Sequence, residues 1–145
     1  MSLLIRGGLV ITMNDAFDVF EGDVSIRDGR IAAIASNITT PHGRVVDARG
    51  GYVLPGLIQT HIHLCQTLFR GYADDLTLMD WLRRRVWPME AAHTPASLRA
   101  AARLATTELL CSGTTAVLTM ETVHDTDAVF ERSPRADCAR RSASA

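Results

Sequence analysis

The chain has 145 residues, with 15 basic and 16 acidic side chains and a formal net charge of −1. Hydrophobic residues make up 47% of it, a globular composition that excludes a collagenous, low-complexity or wholly disordered chain. The near-zero charge also argues against a dedicated nucleic-acid binder or a polybasic membrane binder.

Cysteine usage and hydropathy indicate the compartment. The three cysteines, Cys65, Cys111 and Cys138, have no CxxC spacing, so neither a disulfide framework nor a cysteine zinc site is expected. The N-terminus lacks the charged start and long apolar run of a signal peptide. The longest charge-free stretch, residues 50–69, contains proline, glycine and several polar residues, so it does not predict a membrane span. We therefore expect a cytoplasmic protein with no membrane or nucleic-acid partner, and its oligomeric state stays open.

Residues 1–52 read as short strands and predict part of a β-sandwich. Strands are expected over residues 3–13, 23–27, 30–35 and 45–47. Asp28-Gly29 between the second and third strands predicts a type I′ hairpin, because glycine adopts positive φ without penalty. A generic β-rich module fits these local signals equally well.

The pattern changes at residue 52, where the apolar run 52–58 predicts a strand buried on both faces. Thr77, followed by Asp80, resembles a capping box and predicts a helix to about residue 85. Thr94-Pro95 pairs an N-cap with proline at the first helical position, and predicts a helix over residues 95–112.

The second helix and the strand after it complete a recognisable unit. Leu98, Ala102, Ala105 and Leu109 share one apolar stripe, and Gly113 suits a left-handed helix end. Residues 114–120 are apolar and β-branched and predict a second buried strand. Strand, helix and strand in this order predict a βαβ unit and a parallel sheet, so the fold class is α/β.

His61 and His63 stand at the carboxyl end of the first of these strands. Side chains at i and i+2 share one face of a strand, about 6.6 Å apart along it. Two imidazoles so placed can converge on one metal ion. The alternative is a pair of polar residues at a strand end.

Residues 53–63, VLPGLIQTHIH, resemble the first barrel strand of the amidohydrolase superfamily. The continuation LCQTLFRGYADDL, the segments MDWL and WPME, and Gly113-Thr114-Thr115 resemble one branch of it. That branch holds the 5′-deoxyadenosine and methylthioadenosine/S-adenosylhomocysteine deaminases, with triazine chlorohydrolases as near relatives. The resemblance covers about residues 3–131.

The resemblance implies a (β/α)₈ TIM barrel beside a β-sandwich, with residues 53–131 as the start of the barrel. It implies a divalent metal, zinc or alternatively iron, that activates water for hydrolysis of a C–N bond on a nucleoside-like substrate. His61 and His63 match the first two metal ligands. Glu90 matches the acidic residue that binds the ribose hydroxyls, and a carboxylate can accept two such hydrogen bonds. His124, after the second strand, is a candidate substrate contact, with a solvated loop histidine as the alternative.

The sequence also departs from the family pattern. A complete barrel needs about 200 residues or more, and only two of its eight strands are recognisable here. The later histidines, the proton-transferring glutamate and the aspartate after the last strand have no counterpart, so no catalytic residue is assigned. We expect the isolated chain to be an inactive, unstable N-terminal fragment of a deaminase. The alternatives are a triazine- or guanine-type hydrolase, and a non-catalytic remnant or docking protein.

Other conspicuous residues have structural interpretations. Trp81 and Trp87 are expected in a core, Arg83-Arg84-Arg85 on a solvated helix face, and Asp74-Asp75 at a helix entry. Cys65 is expected to be a packing residue.

Residues 132–145 lack periodicity and are rich in Arg, Ser and Ala. Every basic residue of the chain is arginine, which suggests a GC-rich gene. One permitted codon set, read one base out of phase, gives ALAASGLRAAVG, an amphipathic helix leading into a strand. The hypothesis is a frameshift after the Glu131 codon, and the alternative is a genuine disordered tail.

Overall fold

The computed structural model describes residues 2–40, 43–73, 75–121 and 123–131. The chain divides into two compact units, Met1–Pro55 and Gly56–Ala145. The predicted tail, residues 132–145, and Asp74 lie outside the described residues. No helix in the described ranges is long and apolar enough to cross a membrane.

The first unit is a five-stranded mixed sheet. Its strands are β1 (Ser2–Ile11), β2 (Val19–Arg27), β3 (Arg30–Ala35), β4 (Arg44–Asp47) and β5 (Tyr52–Val53). The order is β3-β2-β1-β4, and β5 also pairs with β1. β1 and β2, and β2 and β3, are antiparallel, whereas β4 and β5 run parallel to β1. The predicted strands are present, and β2 begins four residues earlier than expected.

The predicted hairpin is confirmed. Arg27 pairs with Arg30, which leaves a two-residue loop of Asp28 and Gly29. Both loop residues have positive φ, +50° and +76°, as a type I′ turn requires. The twist of this turn matches that of the strands, so the local sequence sets the register of the pairs next to the loop. Beyond them the β2–β3 register shifts, between Ser25 and Ile26.

A buried carboxylate, Asp23 on β2, connects β1 and the segment after β3 within the first unit. Asp23 is 3% exposed. Its Oδ1 accepts the Gly7 N–H at 2.8 Å, and its Oδ2 accepts the Ile38 N–H at 2.9 Å. Gly7 has φ +70° and lies in a β1 bulge, where the ladder to β2 is interrupted. Asp23 therefore satisfies a backbone donor that the bulge removes from the sheet, together with one from the segment after β3.

The second unit contains a βαβ arrangement. Its strands β6 (Leu57–Ile62) and β7 (Thr114–Thr119) are parallel, as predicted. A 3₁₀ turn (Leu64–Phe69) follows β6, and α3 (Pro95–Cys111) precedes β7. The predicted cap of α3 is confirmed, because Thr94 at the N-cap and Ser97 at N3 form a reciprocal capping box, with Pro95 at the first helical position. Gly113 has φ +85° after the helix, also as predicted.

The helical segment between the 3₁₀ turn and α3 is longer than predicted. It consists of α1 (Leu78–Trp81), a π-helical stretch (Leu82–Val86) and α2 (Trp87–Ala91). The Thr77 cap is confirmed, since its hydroxyl accepts the Asp80 N–H at 3.4 Å. Pro88 has no N–H to give to the preceding turn, so the wider helical stretch lies directly before it.

The core of the second unit lies along the predicted stripe of α3. Leu98, Ala102 and Ala105 are buried there against Leu64 and Cys65 of the 3₁₀ turn. The short helix α4 (Asp127–Phe130) adds Ala128 and Val129 to the same cluster. Cys65 is fully buried and packs in this core, as expected.

Three expectations are wrong: the buried strand over residues 52–58, the buried strand over residues 114–120, and the core position of Trp87. The run 52–58 is not one doubly buried strand: residues 52–53 pair with β1, and residues 57–62 pair with β7. Pro55 cannot donate to a ladder, which explains the break between the two pairings. Ile58 is 70% exposed and Leu118 on β7 is 48% exposed, because the two-stranded sheet is open.

Trp87 is 47% exposed and is no core residue, whereas Arg83, Arg84 and Arg85 are exposed as predicted.

Replacing Asp23 by alanine tests the role of this carboxylate in the first unit. Each N–H left without its acceptor costs about 1–3 kcal/mol, so Asp23→Ala, which leaves two, should lower the free energy of unfolding by about 2–6 kcal/mol. Asp23→Asn, which keeps one acceptor oxygen, should lose less. Urea unfolding of the full chain in a stabilising osmolyte measures this. The exposed Asp15→Ala is the matched control, and equal unfolding midpoints for Asp15→Ala and Asp23→Ala would contradict the assignment.

Candidate metal and substrate site

The structure brings His61 and His63 together at the carboxyl end of β6. Their ring centroids are 5.4 Å apart and the ring planes are nearly perpendicular, at 82°. His61 is exposed and His63 is half-buried. The extended backbone of β6 directs both side chains to one side, which is the geometry that the HxH spacing predicts.

The tautomer of His63 is set by the neighbouring strand. Its Nδ1 makes a short hydrogen bond to the carbonyl oxygen of Met120, just after β7. A carbonyl oxygen only accepts, so Nδ1 carries the hydrogen and the neutral ring keeps its lone pair on Nε2. A backbone carbonyl holding the second ring nitrogen is the usual arrangement of a metal-binding histidine.

Glu121, which the sequence analysis missed, lies beside this pair. Its Oε1 accepts the Leu64 N–H at 2.9 Å and its Oε2 accepts the Cys65 N–H at 3.0 Å. The Thr119 hydroxyl lies between Oε1 of Glu121 and the carbonyl oxygen of Ile62. The carboxyl ends of parallel neighbouring strands share one sheet edge. The sequence signal that could have identified Glu121 was therefore a carboxylate two residues after β7.

Glu90, predicted as a substrate-binding residue, lies on α2 and is 3% exposed. Its Oε1 accepts the Gln66 amide N–H at 2.8 Å and the Cys65 thiol at 3.9 Å. Glu90 is thereby tied to the turn that follows His63. Gln66 is a second residue that the sequence analysis missed, since an amide on a short turn carries no pattern of its own.

His93 is a third residue missing from the predicted site. Its Nε2 donates to the Cys65 carbonyl oxygen at 3.0 Å, and its Nδ1 is 2.8 Å from the Ser97 hydroxyl. The ring stacks on Phe69 with centroids 5.2 Å apart. This buried histidine holds the turn through the Cys65 carbonyl oxygen, whereas Glu121 holds it through the Leu64 and Cys65 N–H groups.

His124 lies after β7, and each of its ring nitrogens makes a hydrogen bond to an acceptor oxygen. Nδ1 donates to the Asp125 carboxylate at 2.8 Å, and Nε2 donates to the Ala91 carbonyl oxygen at 3.2 Å. Two acceptors favour the doubly protonated ring. The pKa of His124 is accordingly raised, first by the hydrogen bond to Asp125 and then by that to Ala91. These contacts join the segment after β7 to the end of α2.

The histidine pair fits a divalent metal ion in part. Two imidazoles about 5 Å apart at a strand end are donors that zinc accepts, and the lone pair of His63 is on Nε2. A catalytic zinc site keeps three protein ligands. Within residues 2–40, 43–73, 75–121 and 123–131 no group of three or more His, Cys, Asp or Glu is placed to hold a metal. The described residues thus supply two ligands of a site that needs more.

The fold and this site define a class of protein. The sequence model of the Amidohydrolase family matches residues 52–142, which is more than half of the chain. The chain belongs to the amidohydrolase family. The matched range includes part of the segment predicted to lie outside the family pattern, and the frameshift stays a prediction.

Curated relatives are deaminases of adenosine-type nucleosides. The chain is 43% identical over 119 residues to a 5′-deoxyadenosine deaminase of Methanococcoides burtonii, covering 81% of this chain and 27% of that protein. It is 43% identical over 120 residues to a 5-methylthioadenosine/S-adenosylhomocysteine deaminase of Thermococcus kodakarensis, covering 83% of this chain and 28% of that protein. The chain therefore spans little more than a quarter of the length of these relatives.

Solved structures agree with this family. An adenosine deaminase from Xanthomonas campestris with bound zinc superposes with a TM-score of 0.79 at 34% identity, over 89% of this chain and 31% of that chain. An atrazine chlorohydrolase from Arthrobacter aurescens TC1 complexed with zinc gives a TM-score of 0.80 at 29% identity, over 89% and 32%.

The protonation of His124 gives a pH-dependent prediction. Its pKa is raised in the folded chain, so its contribution to stability is complete below the unfolded-state value of about 6.5 and is lost as the pH rises through the folded-state value. Asp125→Asn should lower the midpoint measured by NMR titration of the His124 ring. Asparagine suits this control because Asp125 has φ +55°, which asparagine tolerates. An unchanged midpoint would contradict the assigned contact.

Proposed function

We propose that this chain is the N-terminal part of a metal-dependent aminohydrolase that deaminates an adenosine-type nucleoside. The observation that carries the proposal is the histidine pair at the end of β6, with His63 Nδ1 held by the Met120 carbonyl. The names of the curated relatives support the nucleoside as substrate. In this proposal residues 1–52 are part of a β-sandwich and residues 53–131 begin a (β/α)₈ barrel.

The proposed roles follow from the chemistry of the side chains. His61 and His63 would hold a divalent metal, zinc or alternatively iron, and zinc is bound in both solved relatives described above. Such an ion lowers the pKa of a bound water towards neutrality when it is present. Glu90 would accept hydrogen bonds from the ribose hydroxyls, and Gln66 orients its carboxylate through the bond to Oε1. His124 would contact the substrate from the segment after β7, in exchange for its hydrogen bond to Asp125 or to Ala91.

A triazine-type hydrolase is the second candidate. The atrazine chlorohydrolase superposes over 89% of this chain, with a TM-score of 0.80 at 29% identity. The two candidates differ at Glu90, because a triazine has no ribose diol to bind. A guanine-type hydrolase is distinguished in the same way. A cytoplasmic location and the absence of nucleic-acid and membrane partners stay predictions from composition.

Zinc titration of the full chain tests the metal site. Zinc binding followed by calorimetry in a stabilising osmolyte should fall below detection in His61→Ala and in His63→Ala, because each substitution removes one of two donors. Cys111→Ser is the matched control, since it removes an exposed thiol that could bind zinc elsewhere. Equal zinc affinity in the histidine variants and in the unaltered chain would contradict the site.

The reading frame after Glu131 decides which protein carries the activity. Resequencing the genomic locus should show a shifted frame that continues with further barrel strands and ligands. The corrected gene product is then the protein to assay. If the locus codes for nothing barrel-like after Glu131, the catalytic proposal fails, and a docking protein or a decaying gene remains.

Substrate specificity can be measured on the corrected gene product. We expect 5′-deoxyadenosine to be deaminated in preference to guanine or a chlorotriazine. Glu90→Gln should raise KM for the nucleoside about tenfold or more, because hydrogen bonds to a charged group contribute about 1.5–3 kcal/mol. Adenine, which lacks the ribose, is the control substrate and should show no such change. An equal change in KM for 5′-deoxyadenosine and for adenine would contradict the assignment of Glu90 to the ribose hydroxyls.

A further inference from the structure

The backbone directly after His63 is held by a residue from the other strand. His63 occupies the N-cap position of the 3₁₀ turn, with φ −125° and ψ 99°, and its own side chain makes no capping hydrogen bond. The carboxylate of Glu121 supplies that cap, with one oxygen on the Leu64 N–H and the other on the Cys65 N–H. The imidazole of His63 therefore does not cap the turn.

The same short segment also holds the ring of His63. The Met120 N–H donates to the Ile62 carbonyl oxygen at 3.0 Å, and the Met120 carbonyl oxygen accepts the Nδ1 hydrogen of His63. Met120 thus binds Ile62, which precedes His63, and the ring of His63 itself. Glu121 binds Leu64 and Cys65, which follow it. Rotation of the backbone at His63 would break the Glu121 bonds and the Met120 bond together.

We propose that Glu121 is the positioning residue of the histidine pair. By fixing the first two N–H groups after His63, its carboxylate keeps the ring against the Met120 carbonyl and keeps the Nε2 lone pair directed to one place. This inference rests on the proposed function, because it assigns Glu121 a role toward the metal that His61 and His63 would hold. In this assignment Glu121 acts through the backbone, where each of its carboxylate oxygens accepts one N–H group.

A purely structural cap would stabilise the turn without affecting the chemistry of the ring. Substitution of a positioning residue changes the tautomer of His63 and the affinity for metal, since outer contacts of a metal ligand typically contribute 10–100-fold to affinity. These readouts separate the two roles.

The first measurement is ¹⁵N NMR of the histidine rings in the full chain, made metal-free with a chelator and kept in a stabilising osmolyte. The unaltered chain should show His63 as one neutral tautomer with hydrogen on Nδ1. Glu121→Ala should show a mixture of both tautomers, and Glu121→Gln should be intermediate because its amide offers one acceptor oxygen. Glu108→Gln is the matched control, since this exposed glutamate pairs with Arg70 on the surface.

The second measurement is zinc titration of the same four proteins. Glu121→Ala should bind zinc about 10–100-fold more weakly than the unaltered chain, and Glu108→Gln should bind it equally well. Circular dichroism establishes that each variant keeps its helix content. If Glu121→Ala does not fold, Glu121→Gln, which has the same shape, decides the question.

The outcomes separate this inference from the proposed function. An unchanged His63 tautomer in folded Glu121 variants would overturn the positioning role, whether or not zinc binds. Unchanged zinc affinity in those variants would overturn it as well. Zinc binding that does not depend on His61 and His63 would contradict the proposed function, and the metal-free spectra would still decide the role of Glu121.

Discussion

The turn after His63 is fixed by polar side chains that come from three later parts of the chain. Glu121 accepts its first two N–H groups, His93 donates to the Cys65 carbonyl oxygen, and Glu90 accepts from Gln66 and from the Cys65 thiol. Cys65 is therefore bonded through its N–H, its carbonyl and its side chain. Because Cys65 is also fully buried against α3, the position of the histidine pair is tied to the core of the second unit.

The first unit uses the same physical device at a different place. Asp23 is a buried carboxylate that accepts two backbone N–H groups from segments outside its own strand. In both units a carboxylate accepts backbone N–H groups that regular secondary structure leaves unpaired: Asp23 is buried and Glu121 is half-buried.

The open sheet of the second unit explains why its apolar residues are distributed unusually. Ile58, Leu118 and Met120 are largely exposed, although a parallel strand is normally covered on both faces. α3 is the element that packs well, because its small residues allow close approach to the 3₁₀ turn and to α4. The histidine pair is thus held by contacts to the segment after β7 and by the packing of α3 on the 3₁₀ turn.

The sequence by itself determined the features whose physical cause is local. The Asp28-Gly29 turn, the Thr94 cap with Pro95 and the end of α3 at Gly113 follow from φ preferences and capping within a few residues. The HxH spacing and the family motifs also lie within short stretches. Only the tertiary structure decided the roles of Glu121 and His93 and the partner of Glu90. Each of these depends on groups far apart in the chain, such as Glu121 and Leu64 at a separation of 57 residues. No local pattern records such a pair, because its cause is the burial of unpaired backbone donors and acceptors that only folding brings together.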